Sequence, residues 1–276
     1  METFFSLLER RVDDCSSLLC VGLDPHVDDL QSPTADAARE HCLRLVKAAA
    51  PYAAAFKPNT AFFERFGPQG WTALKQVIDA IRQESQRLGS HVPVILDAKR
   101  GDIASTAEAY AASAFDSLGA DAITLSPYLG RDSIEPFIQD PEHGAFLLCK
   151  TSNAGAQDLQ DLKVERPGKQ PVPLYLHVAE MARGWNVRGN VGLVVGATYP
   201  ATLAEVRAAA PELWFLVPGV GVQGGDLDAA LQAGLRQDGM GVLINVARGI
   251  ARALDPGSAA ASLRDHMLGI RRAMQK

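Results

Sequence analysis

The sequence predicts an α/β protein, a single (β/α)8 (TIM) barrel spanning residues 1–276. Three observations predict it. Eight short β-rich apolar runs recur along the chain, at 19–24, 53–57, 92–98, 122–126, 145–150, 191–196, 214–218 and 241–246. Helical patterns separate most of them, which makes neighbouring strands parallel. Eight such units in about 250 residues close into a barrel, and no G-x-G-x-x-G follows the first run to suggest an open doubly wound sheet. A chain of 276 residues that is 47% hydrophobic fills one core of that size.

In chain order, Met1–Arg11 mixes acids with paired apolar residues and reads as an amphipathic helix, with no basic region leading into an apolar run as a secretory signal has. After the first strand come helices at 35–50, 70–88, 105–118, 172–185 and 200–209, each lying between two strands. The stretch 152–173 breaks the rhythm. It holds Gly155, the turn-like Arg166-Pro167-Gly168, then Pro171 and Pro173, and reads as a long loop after the fifth strand, a lid or a surface insertion. The tail 257–276 is a terminal amphipathic helix with basic residues near its end.

Composition removes several classes of function. Lysines and arginines number 27 against 32 acids, a formal net charge of −5, which leaves no electrostatic footprint for nucleic acid. No apolar stretch is long enough to span a bilayer. The cysteines, Cys15, Cys20, Cys42 and Cys149, form no C-x-x-C pair and no zinc-finger spacing with histidine. They are expected to be reduced thiols of a cytoplasmic protein. The histidines are scattered, and no metal role is expected of them.

Chemistry concentrates at the strand ends, where a barrel of this kind carries its active site. Asp97-Ala98-Lys99-Arg100-Gly101-Asp102-Ile103 closes the third strand. On an extended backbone Asp97 and Lys99, two apart, point to one face. Asp24 ends the first strand and Lys57 the second. Ser126 ends the fourth, Thr151-Ser152-Asn153 follow the fifth, and Thr198 the sixth. Each has a plain structural alternative, such as a helix cap for Asp24 or a snorkelling side chain for Lys57. Their gathering at one mouth argues for a site. The Gly-rich run Pro218–Asp226 after the seventh strand lets backbone N–H groups converge on an anion. Gln223 within it offers an amide, and Arg248 after the eighth strand a planar fork for phosphate oxygens. A phosphorylated small molecule is the expected ligand.

Taken together, Val21-Gly22-Leu23-Asp24-Pro25, Phe56-Lys57-Pro58-Asn59, the 97–103 stretch, Thr151-Ser152-Asn153-Ala154-Gly155, the 218–226 run and Asn245-Val246-Ala247-Arg248-Gly249 resemble the orotidine 5'-phosphate decarboxylase family, in its longer bacterial branch, nearly end to end. Ala154 departs from the proline that relatives often carry. The resemblance implies decarboxylation of orotidine 5'-phosphate to uridine 5'-phosphate, the last step of de novo UMP synthesis, with no cofactor and no metal. It implies that Lys57, Asp97, Lys99 and Asp102 form an alternating charged network in which Lys99 protonates C6. It makes Asp24 a ribose hydroxyl acceptor, Ser152 a pyrimidine contact, and Gln223 and Arg248 the phosphate grip. It implies a homodimer in which Asp102, Ile103 and Thr106 reach the neighbouring subunit's site, Gly101 supplying the turn that points Asp102 outward.

Three alternatives remain at this level. The D-x-K-x-x-D core is shared with Mg2+-dependent sugar-phosphate decarboxylases, but those relatives end strand two in a carboxylate where this chain has Lys57. A Schiff-base aldolase would use Lys99 as nucleophile, yet flanking Asp97 and Asp102 favour the ammonium over the free amine. A silent phosphate-binding barrel gives no reason for two lysines and two carboxylates at one mouth.

Overall fold

The computed structural model describes residues 2–221 and 225–274. Its barrel strands are β1 (Leu19–Leu23), β2 (Ala55–Pro58), β3 (Ile95–Arg100), β4 (Ala122–Leu125) and β5 (Gly144–Lys150). A small hairpin, β6 (Lys163–Arg166) and β7 (Lys169–Pro173), interrupts the series before β8 (Val191–Val195), β9 (Phe215–Val217) and β10 (Val242–Val246) complete it. The eight-stranded sheet has the order β2-β1-β10-β9-β8-β5-β4-β3. Its ends meet through bridges Phe56 to Val94 and Asn59 to Asp97, with Phe56 N donating to Pro93 O at 2.9 Å, so the sheet closes on itself. Parallel strands covered on both faces read as near-continuous apolar runs. This explains why β1, β4, β8 and β10 are buried at every position.

The helices are α1 (Phe4–Cys15), α2 (Ala35–Ala49), α3 (Ala61–Glu64), α4 (Gly67–Leu88), α5 (Ala104–Ala112) and α6 (Glu135–Ile138). They continue with α7 (Leu174–Trp185), α8 (Pro200–Ala209), α9 (Leu227–Gly234), α10 (Arg248–Ala251) and α11 (Pro256–Met274). The amphipathic N-terminal segment is indeed a helix, capped by Thr3, whose hydroxyl accepts from Ser6 N at 3.1 Å. It seals the end of the barrel opposite the site. Phe4 and Phe5 meet the Phe146 ring edge-on, and Phe5 stacks on Trp214. Gly144 makes this possible: a Cβ there would lie 2.3 Å from the Phe4 ring. Burying each such ring contributes roughly 1.5–3 kcal/mol.

Four expectations are corrected. The 152–173 stretch is no open loop. It forms a 3-10 turn (Ala154–Asp158) and the β6–β7 hairpin, held by ion pairs of Lys150 with Asp161 and Arg166 with Glu180. Turn residues at Arg166-Pro167-Gly168 reverse the chain, and Gly168 takes a positive φ of 70°. The helix placed at 172–185 therefore starts later, at Leu174. The 105–118 helix ends its α-helical part at Ala112 and finishes in a π-helical turn (Ser113–Ser117). Gly101 is not the turning residue. Positive φ falls on Lys99 (48°) and Ala104 (50°) instead. Gly101 is small because a Cβ would approach Ser126 O to 3.0 Å.

The strand that carries the charged motif is fixed at its far end by Asp121. Its carboxylate accepts from Val94 N (2.6 Å) and Arg82 Nη2 (2.8 Å) and contacts His91 Nε2 (3.0 Å). Burial pushes the Asp121 carboxyl up, but the His91 hydrogen bond and the Arg82 charge outweigh it and hold it below the usual range.

Candidate active site

Asp97 is the hub of the charged core. It accepts from Lys57 Nζ at 2.6 Å through one oxygen, and from Lys99 Nζ at 2.5 Å and Thr124 Oγ1 at 3.0 Å through the other. The Lys99 contact does not arise from plain i, i+2 spacing on an extended strand. Lys99 sits in the left-handed region, and the β3–β4 register shifts between Leu96 and Arg100. Thr124 explains how the backbone tolerates this: its hydroxyl oxygen accepts from both Ala98 N (3.1 Å) and Lys99 N (3.0 Å). A non-glycine residue at positive φ is strain of the kind that collects at functional sites.

Burial differs sharply along this row. Lys57 and Asp97 are 4% and 8% exposed, whereas half of the Lys99 side chain is open to the cavity. Burial alone would push the Lys57 amine down. Asp97, and then Asp24, more than reverse this, so its pKa is raised. Burial pushes the Asp97 carboxyl up, but Lys57 and Lys99 together hold it far below the usual carboxylate range. Both shifts favour the ionised pair.

Two cavities open on this row and share Lys57, Asp97 and Pro218. One, of about 390 Å³, is lined by Asp24, Asn245, Arg248 and the backbone of Gly219 and Gly221. Gly219 and Gly221 take φ of 97° and 77°, conformations that favour glycine. Arg248 is half-buried at the start of α10 and has no ion-pair partner among the described residues. The other cavity, of about 440 Å³, is lined by Lys99, Thr124, Thr151, Ser152, Asn153 and Gln160. The first is suited to an anion by its guanidinium and glycine backbone, and the second is a more enclosed slot over Lys99, lined by both polar and apolar side chains. A molecule spanning both passes directly over the Lys57–Asp97–Lys99 row.

The structure thus brings together Asp24, Lys57, Asp97, Lys99, Ser152 and Arg248. It does not bring Asp102 into the same pocket. Asp102 is half-buried, its Oδ1 accepts from its own neighbour Ile103 N at 2.8 Å, and it lines neither cavity. Ile103 is 51% exposed and Thr106 is exposed. Gln223 lies outside the described residues.

Three polar residues at the site were given no role in the sequence reading, although Asn245 stands in one of its quoted motifs. Thr124 and Asn245 each interrupt an apolar strand, and that interruption was the available signal. Asn245 is 9% exposed, and its Oδ1, like Asp24 Oδ1, is buried without a hydrogen-bond partner among the described residues. Gln160 had no local signal, because only the hairpin's fold returns it to the mouth.

Over residues 17–263 the sequence matches the Orotidine 5'-phosphate decarboxylase / HUMPS family. It is 50% identical over 249 residues to orotidine 5'-phosphate decarboxylase of Roseiflexus castenholzii, covering 89% of this chain and 87% of that protein. Among solved structures, Leishmania donovani OMP decarboxylase superposes with a TM-score of 0.86 at 55% identity, covering 98% of this chain and 99% of that one. Leishmania donovani UMP synthase superposes with a TM-score of 0.89 at 56% identity over 99% of this chain, which spans 57% of that longer protein.

Proposed function

From the premise that this chain belongs to the orotidine 5'-phosphate decarboxylase / HUMPS family, we propose that it decarboxylates orotidine 5'-phosphate to uridine 5'-phosphate without a cofactor. The observation that carries this is the row of two ammonium groups about one buried carboxylate, lying between a cavity suited to phosphate and one suited to a base. The metal-dependent sister reaction is disfavoured by the lysine at the end of β2, whose ammonium repels a cation there.

The chemistry follows from the charges. The bond between C6 and the carboxylate breaks, its electron pair stays on C6, and carbon dioxide leaves. No carbonyl adjoins C6 to spread that charge, so fixed cations must stabilise it. The Lys99 ammonium faces the cavity, stabilises the developing carbanion and passes its proton to C6. Asp97, kept ionised by its lysines, repels the substrate carboxylate, and that repulsion is relieved as carbon dioxide departs. Lys57 holds Asp97 in place from the buried side. Arg248 and Gln223 grip the phosphate, Asp24 accepts from a ribose hydroxyl, and Ser152 contacts the pyrimidine. Phosphate binding far from C6 helps align the reacting groups, so its loss lowers turnover as well as affinity.

Residues 1–276 act as one catalytic domain, working in the cytoplasm as a homodimer. The four buried free thiols support a reducing compartment, and no helix among the described residues is long and apolar enough to cross a membrane. Half-buried Asp102, with exposed Ile103 and Thr106, completes the partner's site. Mixing Lys99→Ala with Asp102→Ala subunits tests this: with exchange confirmed by mass spectrometry, roughly a quarter of sites regain activity. No regained activity would mean that Asp102 serves its own subunit. The activity itself is tested by following loss of orotate absorbance with and without chelator. Activity abolished by chelator and restored by Mg2+ would select the sister reaction.

A further inference from the structure

The geometry points to Gln160 as a positioning residue that turns the Asn153 side-chain amide into a hydrogen-bond donor toward a pyrimidine carbonyl oxygen. This deepens the proposed decarboxylase activity and rests on it. The argument is one of proton direction. Thr151 N is a backbone amide and can only donate, and it lies 2.9 Å from Gln160 Oε1. That contact fixes which end of the Gln160 amide is oxygen. Gln160 Nε2, which can only donate, is then the atom 2.8 Å from Thr151 Oγ1. Accepting from Gln160 leaves the single hydroxyl proton of Thr151 free, and it is donated to Asn153 Oδ1 at 2.6 Å. With Oδ1 occupied as an acceptor, the Asn153 amide offers its N–H groups to whatever fills the cavity it lines beside Lys99.

Gln160 is itself held from both sides. Its N–H donates to Ala156 O at 2.8 Å, and its carbonyl accepts from Tyr175 N at 3.1 Å. The next residue, Asp161, pairs with buried Lys150 at the end of β5. Anchoring the hairpin's base to the barrel wall thus pre-sets the direction of a three-residue relay. A donor placed in advance recognises an acceptor, and the carbonyl oxygens of a uracil ring are such acceptors.

Gln160→Glu keeps the shape and reverses the logic. A carboxylate can still accept from Thr151 N, but it takes the Thr151 proton as well. Asn153 then turns its N–H groups toward Thr151 and presents oxygen to the ligand. The experiment measures the affinity of UMP and of ribose 5-phosphate, which has no base, by calorimetry. Gln160→Glu and Thr151→Val each weaken UMP about tenfold, as expected for one neutral hydrogen bond lost, and leave ribose 5-phosphate unchanged. Thr151→Ser, which keeps the hydroxyl, restores what Thr151→Val loses. In an Asn153→Ala background, Gln160→Glu has no further effect on UMP. The relay is overturned if Gln160→Glu weakens both ligands equally, weakens UMP by the same factor without Asn153, or changes neither. Wild-type turnover of orotidine 5'-phosphate on the same preparation separates the two readings. An active wild type with any of those outcomes loses the relay alone, and an inactive wild type that does not prefer UMP loses both.

Discussion

Replacing Asp97 by Asn isolates what the buried ion pair does. Lys57 is 4% exposed and donates to Asp97 at 2.6 Å. The substitution keeps the volume and removes the charge, leaving an ammonium in a site shielded from water. Breaking a buried pair from one side costs roughly 3–5 kcal/mol, and Asp24 nearby favours the lower half of that range. At about 2.1 cal/mol/K per residue for a chain of 276 residues, the melting temperature falls by about 5–7 °C. The pH dependence is more telling. In the wild type the raised Lys57 pKa gives a contribution that is whole below the unfolded lysine value of about 10.4 and is lost as pH rises from there through the folded value, and the lowered Asp97 pKa gives one that is whole above the unfolded value of about 3.9 and is lost as pH falls from there. The pair is thus flat from about pH 5 to 9.5. Without Asp97, burial dominates and the folded Lys57 pKa drops below its unfolded value of about 10.4. The unfolded state then binds the extra proton, so the variant gains stability relative to wild type as pH rises from 7 to 9.5. Thermal melts of both proteins across that range test the reasoning. Equal melting temperatures with parallel pH profiles would show that Asp97 does not neutralise Lys57.

Other outcomes follow from the same site. Lys99→Ala abolishes turnover while the melting temperature stays close to wild type, because half of that side chain is exposed; a folded variant with near-normal turnover would remove Lys99 from the mechanism. Arg248→Ala lowers kcat/KM for the nucleotide by about 2–5 kcal/mol and hardly affects the dephosphorylated nucleoside; equal losses on both would exclude Arg248 as phosphate ligand. The native protein resists thiol reagents at pH 8, since burial pushes Cys20 up to about 12 and raises Cys15, Cys42 and Cys149 as well. Rapid titration of any thiol before unfolding would contradict that burial.

The barrel was legible because its signal is repeated. Each buried strand is an apolar run, and a few residues of error at its ends does not alter the topology. Lys57 and Asp97 were legible because they end such runs, and position on a barrel strand already says which way a side chain faces; Arg248 was legible because it follows the last run at the mouth. What stayed hidden depended on contacts between distant segments. The left-handed conformation of Lys99 needs a hydroxyl from β4, 25 residues on, to satisfy the backbone. The 152–173 hairpin carries Pro171 and Pro173 in a strand, which a sequence pattern counts against pairing; a two-stranded edge accepts them because one side of each strand needs no partner. Gly101 was read as a turning residue from its type alone, whereas the close approach that a side chain there would meet comes from Ser126.

The aromatic seal formed by α1 makes the barrel a blind vessel. Phe4, Phe5, Phe146 and Trp214 pack over the base, and the two cavities of the site lie at the mouth opposite, so a nucleotide enters and departs through the same doorway, past Arg248 and the turn that carries Ser152. Traffic is therefore one at a time. The product must vacate before the next substrate can be admitted, and UMP must inhibit by pure competition, raising the apparent KM without lowering the maximal rate.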